Sequence, residues 1–117
     1  MRVEHNMDSM LEVAGRVDSV LIKQGEVSHL KAWSNYTFIN WGSKTLLSSK
    51  TLGHYFSLLD DQIFIRTHRS YCVNVQHIEK VNFRTRVITL HSGEEIPLAR
   101  SKKRYFRKVL ADRVKVV

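Results

Sequence analysis

One cysteine, one proline and five glycines in 117 residues already exclude several classes of protein. A lone thiol, Cys72, forbids an internal disulfide and fits a reducing compartment, so a cytoplasmic setting is expected. No stretch approaches the roughly 20 apolar residues that a membrane-spanning helix needs. Met1–Asn6 lacks the apolar centre of a signal peptide, and no membrane association is expected. The sequence has no glycine-rich phosphate loop, no nucleophile elbow and no Cys-x-x-Cys pair. None of its six histidines stands four residues from another, the spacing of a helical metal site. Asp60-Asp61 and Glu94-Glu95 fall in turn-like contexts rather than as a general-acid pair, and Cys72 reads as a small buried hydrophobe. Neither enzymatic activity nor a metal or cofactor is expected.

What the chain has in excess is positive charge: 19 Lys and Arg against 11 Asp and Glu, a formal net charge of +8. The excess is unevenly spread. Residues 1–30 are net −2, residues 31–98 net +3 and residues 99–117 net +7. A bland reading makes the last segment a solvated helix face or a loose tail. A sharper one makes it a surface that contacts phosphates.

Hydrophobic patterning gives short strands joined by turn chemistry, which points to a mainly antiparallel all-β domain. Strand-like runs fall at Val17–Ile22, Val27–Trp33, Tyr36–Trp41, Thr45–Ser48, Phe64–Tyr71, His77–Phe83, Val87–His91 and Ile96–Ala99. Pro97 cannot donate a ladder hydrogen bond, so it marks an edge strand or a strand end. Two segments have helical period instead. Leu52, Tyr55, Phe56 and Leu59 line one side of a short amphipathic helix over Ser49–Leu59, with Ser49 as N-cap. Tyr105, Phe106, Val109 and Leu110 line a basic C-terminal helix or helical turn over Ser101–Leu110, with Ser101 as N-cap. Residues 1–17 read as a linker or frayed start, residues 18–112 as the domain and residues 113–117 as a tail.

The densest stretch is Phe64-Ile65-Arg66-Thr67-His68-Arg69-Ser70-Tyr71-Cys72-Val73-Asn74, where strand-forming residues surround a cationic cluster. On so basic a chain the natural target is a polyanion. Arg69 has the fork that donates two hydrogen bonds to guanine, and Asn35 the amide that pairs with adenine. Arg100 sits where a strand gives way to the basic helix, well placed to enter a groove. Ser70, Lys102 and Lys103 suit phosphate oxygens, with Arg104 beside them. Plainer readings stand next to these: Arg69 paired with Glu79, Asn35 as a turn residue, Arg100 as a solvated strand end. Trp33, Tyr36, Phe38 and Trp41 keep open a single-stranded DNA or RNA module, since aromatics stack bases. A basic protein-interaction domain is the remaining alternative.

Four segments together resemble the LytTR DNA-binding domain, the output module of many bacterial response regulators. They are Val27–Thr37, Ser49–Leu59, Phe64–Asn74 and Ile96–Lys103; the third is similar to the family signature Phe-x-Arg-x-His-Arg-Ser-x-x-Val-Asn at every fixed position. The resemblance covers about residues 18–112. It implies an elongated stack of short antiparallel sheets, and duplex DNA bound through loops rather than a recognition helix. Base contacts are then expected from Asn35, Tyr36, Arg69 and Arg100. Backbone contacts are expected from Lys50, Ser70, Lys102, Lys103 and Arg104, with His68 structural or on the phosphate side. The resemblance also implies direct repeats occupied by two copies, bent DNA, and a receiver domain in the parent chain or a partner. The chain departs from the family at Lys31, often acidic there, at Trp33-Ser34, and at Ala99, often serine.

Overall fold

The computed structural model describes residues 8–113. The chain runs β1 (Met10–Ala14), β2 (Ser19–Lys23), β3 (Val27–Trp33), β4 (Tyr36–Trp41), β5 (Lys44–Ser48), α1 (Leu52–Leu58), β6 (Phe64–His68), β7 (Tyr71–Asn74), β8 (Ile78–Asn82), β9 (Val87–Leu90), β10 (Glu95–Pro97) and α2 (Lys103–Arg113). Single 3-10 turns at Gln24–Glu26, Val75–His77 and Arg100–Lys102 join some of these elements. The strands form a two-stranded sheet β1-β2, a five-stranded sheet β5-β4-β3-β7-β6 and a three-stranded sheet β10-β9-β8, with antiparallel pairing throughout. This is the mainly β stack of short antiparallel sheets that the sequence predicts. Pro97 ends the edge strand β10, as its missing N–H requires.

The five-stranded sheet is the shared wall of two cores. On one face, Leu11, Val13 and Ile22 of the β1-β2 ribbon and Leu52, Tyr55 and Leu59 of the α1 segment pack against Leu30, Ile39, Phe64 and Cys72. On the other, Ile88, Leu90 and Ile96 of the three-stranded sheet and Phe106 of α2 pack against Ile65 and Val73. Strand period 2 explains the division: neighbouring residues Phe64 and Ile65, or Cys72 and Val73, serve opposite cores. The carboxamide of fully buried Asn74 donates to the Val27 carbonyl at 3.0 Å and accepts from the Gln76 amide at 2.8 Å, which fixes the end of β7 against the start of β3.

Four expectations are corrected. The start is not linker from residue 10 onward, because Met10–Ala14 alternates exposed and buried residues and pairs with β2 along its whole length. Residues 1–7 and 114–117 lie outside the described residues. The N-cap of α1 is Thr51, whose hydroxyl accepts the His54 amide at 3.1 Å, and not Ser49. Ser101 does not cap the last helix: it lies inside the 3-10 turn that leads into α2, and Tyr105 points outward. Finally, Phe64–Tyr71 is not one strand but two, β6 and β7, with Arg69-Ser70 as the turn between them.

Candidate nucleic-acid interface

The last correction moves the cationic cluster from the side of a strand to the tip of a hairpin. Arg66 organises that tip from within. Its Nε donates to the His68 carbonyl at 3.4 Å and its Nη2 to the Arg69 carbonyl at 2.5 Å, while the guanidinium carbon lies 5.9 Å from the Phe56 ring centroid. His68 adds a second latch: its Nδ1 accepts the Ser70 amide at 3.1 Å, and its ring meets Tyr71 edge-on at 5.9 Å. The Ser70 amide is therefore occupied by the imidazole. Arg66 was legible only as part of the motif; its service to the turn's carbonyls was not.

Two more loops are held against this hairpin. The Ala99 amide donates to the Thr67 carbonyl at 2.8 Å, so Arg100 begins its 3-10 turn one residue from an anchor on β6. The Leu98 amide donates to the Arg86 carbonyl at 3.0 Å, which draws in the β8–β9 turn. His68, Arg86 and Arg100 line one cleft, which also takes in Glu95. His68, Arg69 and Lys102 line a second beside it. Arg100, Lys103, Arg104 and Arg107 line a third groove with no acidic residue among its walls. The first turn of α2 also carries no acidic residue, so cations crowd the positive end of a helix dipole. Such an arrangement is self-repelling and is relieved by a bound polyanion. Arg86 was absent from the sequence expectations; the signal for it was an alternation of basic and polar residues, Arg84-Thr85-Arg86, inside a hairpin turn.

The Asn35 hairpin stands at the same end of the five-stranded sheet. Trp33 pairs with Tyr36 across a Ser34-Asn35 turn, and the Ala32 amide donates to the Ser70 carbonyl at 2.8 Å. Ser34 has φ 55° and Arg86 φ 58°, the two positive values outside glycine among the described residues. Both lie in loops of this end, and left-handed backbone at such residues is strain of order 1 kcal/mol that the surrounding structure must hold. Lys50 is set apart. Its carbonyl accepts the Thr37 hydroxyl at 2.8 Å, and it lines a groove with Ser9, Glu12 and His54 on the far edge of the sheet. The structure thus gathers Arg69, His68, Ser70, Arg100, Lys102, Lys103 and Arg104, brings Asn35 and Tyr36 to the same sheet end, and places Lys50 at that end too, just after β5, but on the opposite edge from the Arg69 tip.

Between the sheets His29 is buried beside Ser28 and reaches the exposed Glu94. His29 Nδ1 is 3.0 Å from the Ser28 hydroxyl and Nε2 is 3.2 Å from Glu94 Oε2. Burial lowers the His29 pKa below its ordinary value, against the opposing pull of the Glu94 carboxylate. Burial also pushes the Cys72 thiol up to about 12, with the Arg66 charge opposing. Neither group reaches the basic clefts. Among the described residues no helix is long and apolar enough to cross a membrane.

A stack of short antiparallel sheets that gathers cationic hairpin tips and the basic start of α2 at one end fits the class of domains that bind DNA through loops. Residues 18–111 match the model of the LytTr DNA-binding domain, and the chain belongs to that family. A solved LytTr DNA-binding domain from Bacillus cereus is similar in three dimensions, with a TM-score of 0.78 and 29% identity over 88% of this chain and 97% of that one. The sensory transduction protein LytR of Staphylococcus haemolyticus is 24% identical over 91% of this chain. The transcriptional regulatory protein YpdB of Escherichia coli is 27% identical over 73% of it. The chain spans 43% and 36% of the lengths of these two relatives.

Proposed function

We propose that this domain binds double-stranded DNA in a sequence-specific manner and acts in transcription regulation, as the output part of a response regulator or as a stand-alone regulator. The carrying observation is the main-chain bond from Ala99 to Thr67, which holds the Arg100 turn against β6 just before the Arg69 tip. In this reading Arg69 and Arg100 enter the major groove with their guanidinium forks on base edges, and Asn35 and Tyr36 do so from the neighbouring hairpin. His68 through Nε2, the Ser70 hydroxyl, Lys102, Lys103 and Arg104 sit on phosphates and set the register. Lys50 is too far round the sheet to share that cleft and contacts backbone only if the DNA curves toward β5. A rigid protein end meeting successive grooves asks the DNA to bend, at a cost of a few kcal/mol offset by the extra contacts. Two copies on direct repeats, a receiver domain as the regulating partner and a cytoplasmic location complete the proposal.

The test is selection from random duplex DNA, followed by a salt titration of the selected site against a scrambled one. The reading expects a short repeated motif bound far more tightly than the scramble. It also expects a log–log salt slope of about −4 to −7, corresponding to roughly 5–7 phosphates. Equal, steeply salt-dependent binding to both duplexes would reduce the surface to a merely basic one.

A further inference from the structure

Among the described residues, the three-stranded sheet and α2 cover the β6–β7 side of one face of the five-stranded sheet and leave its β4–β5 side open. On the open side Trp33 is 58% exposed, Tyr36 45% and Leu47 40%. These residues are ordered against one another. The Trp33 ring stacks on Phe38 with centroids 5.9 Å apart and planes at 27°, and meets Tyr36 at 6.2 Å. An exposed indole backed by a second ring is a preformed flat apolar surface rather than a mobile side chain.

Its position ties it to the basic clefts. Leu47, Phe38, Lys31, Tyr71 and His68 are successive cross-strand partners over all five strands, so they form one row on one face. His68, at one end of that row, lines both clefts next to Arg69 and Arg100. Trp33 and Tyr36 stand one step beyond Phe38, directly below the Ser34-Asn35 tip. Lys31 occupies the middle of the row, exposed, with its Nζ 5.7 Å from the Tyr71 ring centroid.

We propose that Trp33, supported by Phe38 and Tyr36, is a DNA contact that lies flat against the deoxyribose rings of the groove wall while Lys31 takes an adjacent phosphate. This rests on the duplex-binding reading above. A hairpin whose tip reaches the floor of a groove must pass the sugar-phosphate wall with its flank. The flank here alternates a large apolar plane with a cation, the same alternation that a wall of sugars and phosphates presents. Single-stranded bases and a second copy of the chain are the competing occupants. The shared row with His68 and the charge of Lys31 favour the duplex backbone over both.

The experiment measures binding of the selected and scrambled duplexes by anisotropy of labelled DNA for wild type, Trp33→Ala, Trp33→Phe and Lys31→Ala. Intrinsic emission is followed in Trp41→Phe, where Trp33 is the sole indole. Burying one indole face predicts that Trp33→Ala weakens both duplexes alike by about ten-fold with an unchanged salt slope, and that Trp33→Phe recovers most of the loss. Lys31→Ala lowers the slope by about one unit. Trp33 emission shifts at saturating duplex, and replacing thymine by uracil changes none of this. Unaltered Trp33 emission in the saturated complex overturns the proposal. So does a loss confined to thymine-containing sites, which would mean methyl recognition. Tighter binding of single strands, or self-association that Trp33→Ala abolishes while duplex affinity stays intact, also overturns it. Wild type that binds no duplex would instead overturn the DNA-binding reading beneath it.

Discussion

Arg66 offers a direct test of whether the order of the Arg69 tip matters to recognition. The perturbation is Arg66→Gln, which keeps much of the side-chain volume and removes the charged fork. Two bonds to main-chain carbonyls are lost, one at 2.5 Å to Arg69 and a weak one at 3.4 Å to His68. A hydrogen bond made by a charged group contributes about 1.5–3 kcal/mol when well shielded. Arg66 is only half-buried, so about 1–2 kcal/mol is the reasonable loss. The loss falls on the turn itself, since the Ser70 amide remains latched to His68. If the tip then spends most of its time outside the binding geometry, the apparent Kd rises by the inverse of the competent fraction, about ten-fold for 1.4 kcal/mol. The assay is anisotropy with the selected duplex at several salt concentrations, alongside urea unfolding. The expected result is weaker binding at an unchanged salt slope, with a stability loss no larger than about 2 kcal/mol. A slope lower by about one unit would show Arg66 sitting on a phosphate and refute the argument. An unchanged Kd would show that tip order is irrelevant.

Leu11→Ala should cost about 2–4 kcal/mol in urea unfolding, because Leu11 is 3% exposed in the first core; a loss below about 0.5 kcal/mol would return β1 to the status of a linker. Lowering the pH from 7 toward 5 should destabilise wild type more than His29→Gln. With its pKa held below the ordinary value by burial, folded His29 resists the proton that the unfolded chain accepts, so stability is lost as pH falls below about 6.5. Parallel pH profiles for the two proteins would remove His29 from the account. Cys72 should react with a thiol reagent only at the rate of unfolding, since it is fully buried and its thiol is pushed up to about 12; rapid labelling of the native protein would contradict that burial.

The strands from Val27 to Ser48 were legible because their turns carry strong local chemistry. Gly42 at φ 56° supplies left-handed backbone at no steric cost, and Asn35 is a familiar turn residue. The hairpin at Arg69-Ser70 was not legible for the opposite reason. It has no glycine, asparagine or proline, and strand-forming residues continue on both sides. What bends the chain there is side-chain chemistry two residues away, the Arg66 and His68 latches, which propensity does not register. β1 shows period-2 burial, but Ala14-Gly15 reads as a break when no partner strand is known. Base-contact candidates were named from residue type and resemblance. Their assembly into one end depends on the Ala99–Thr67 and Ala32–Ser70 bonds, which span 32 and 38 residues of sequence and leave no local trace. Lys50 illustrates the converse, a plausible cation that the topology carries to another edge.

The two cores share one wall, and the Arg69-Ser70 tip is the end of that wall rather than an appendage. Every residue that positions the tip is committed either to a core or to a latch, whereas Arg69, Asn35 and Arg100 commit nothing inward. That separation makes the domain a natural scaffold for retargeting. On the proposed reading, in which these three side chains meet base edges, a library randomised at them varies the selected site while leaving both cores untouched, and its members should melt together even as their selected sequences diverge.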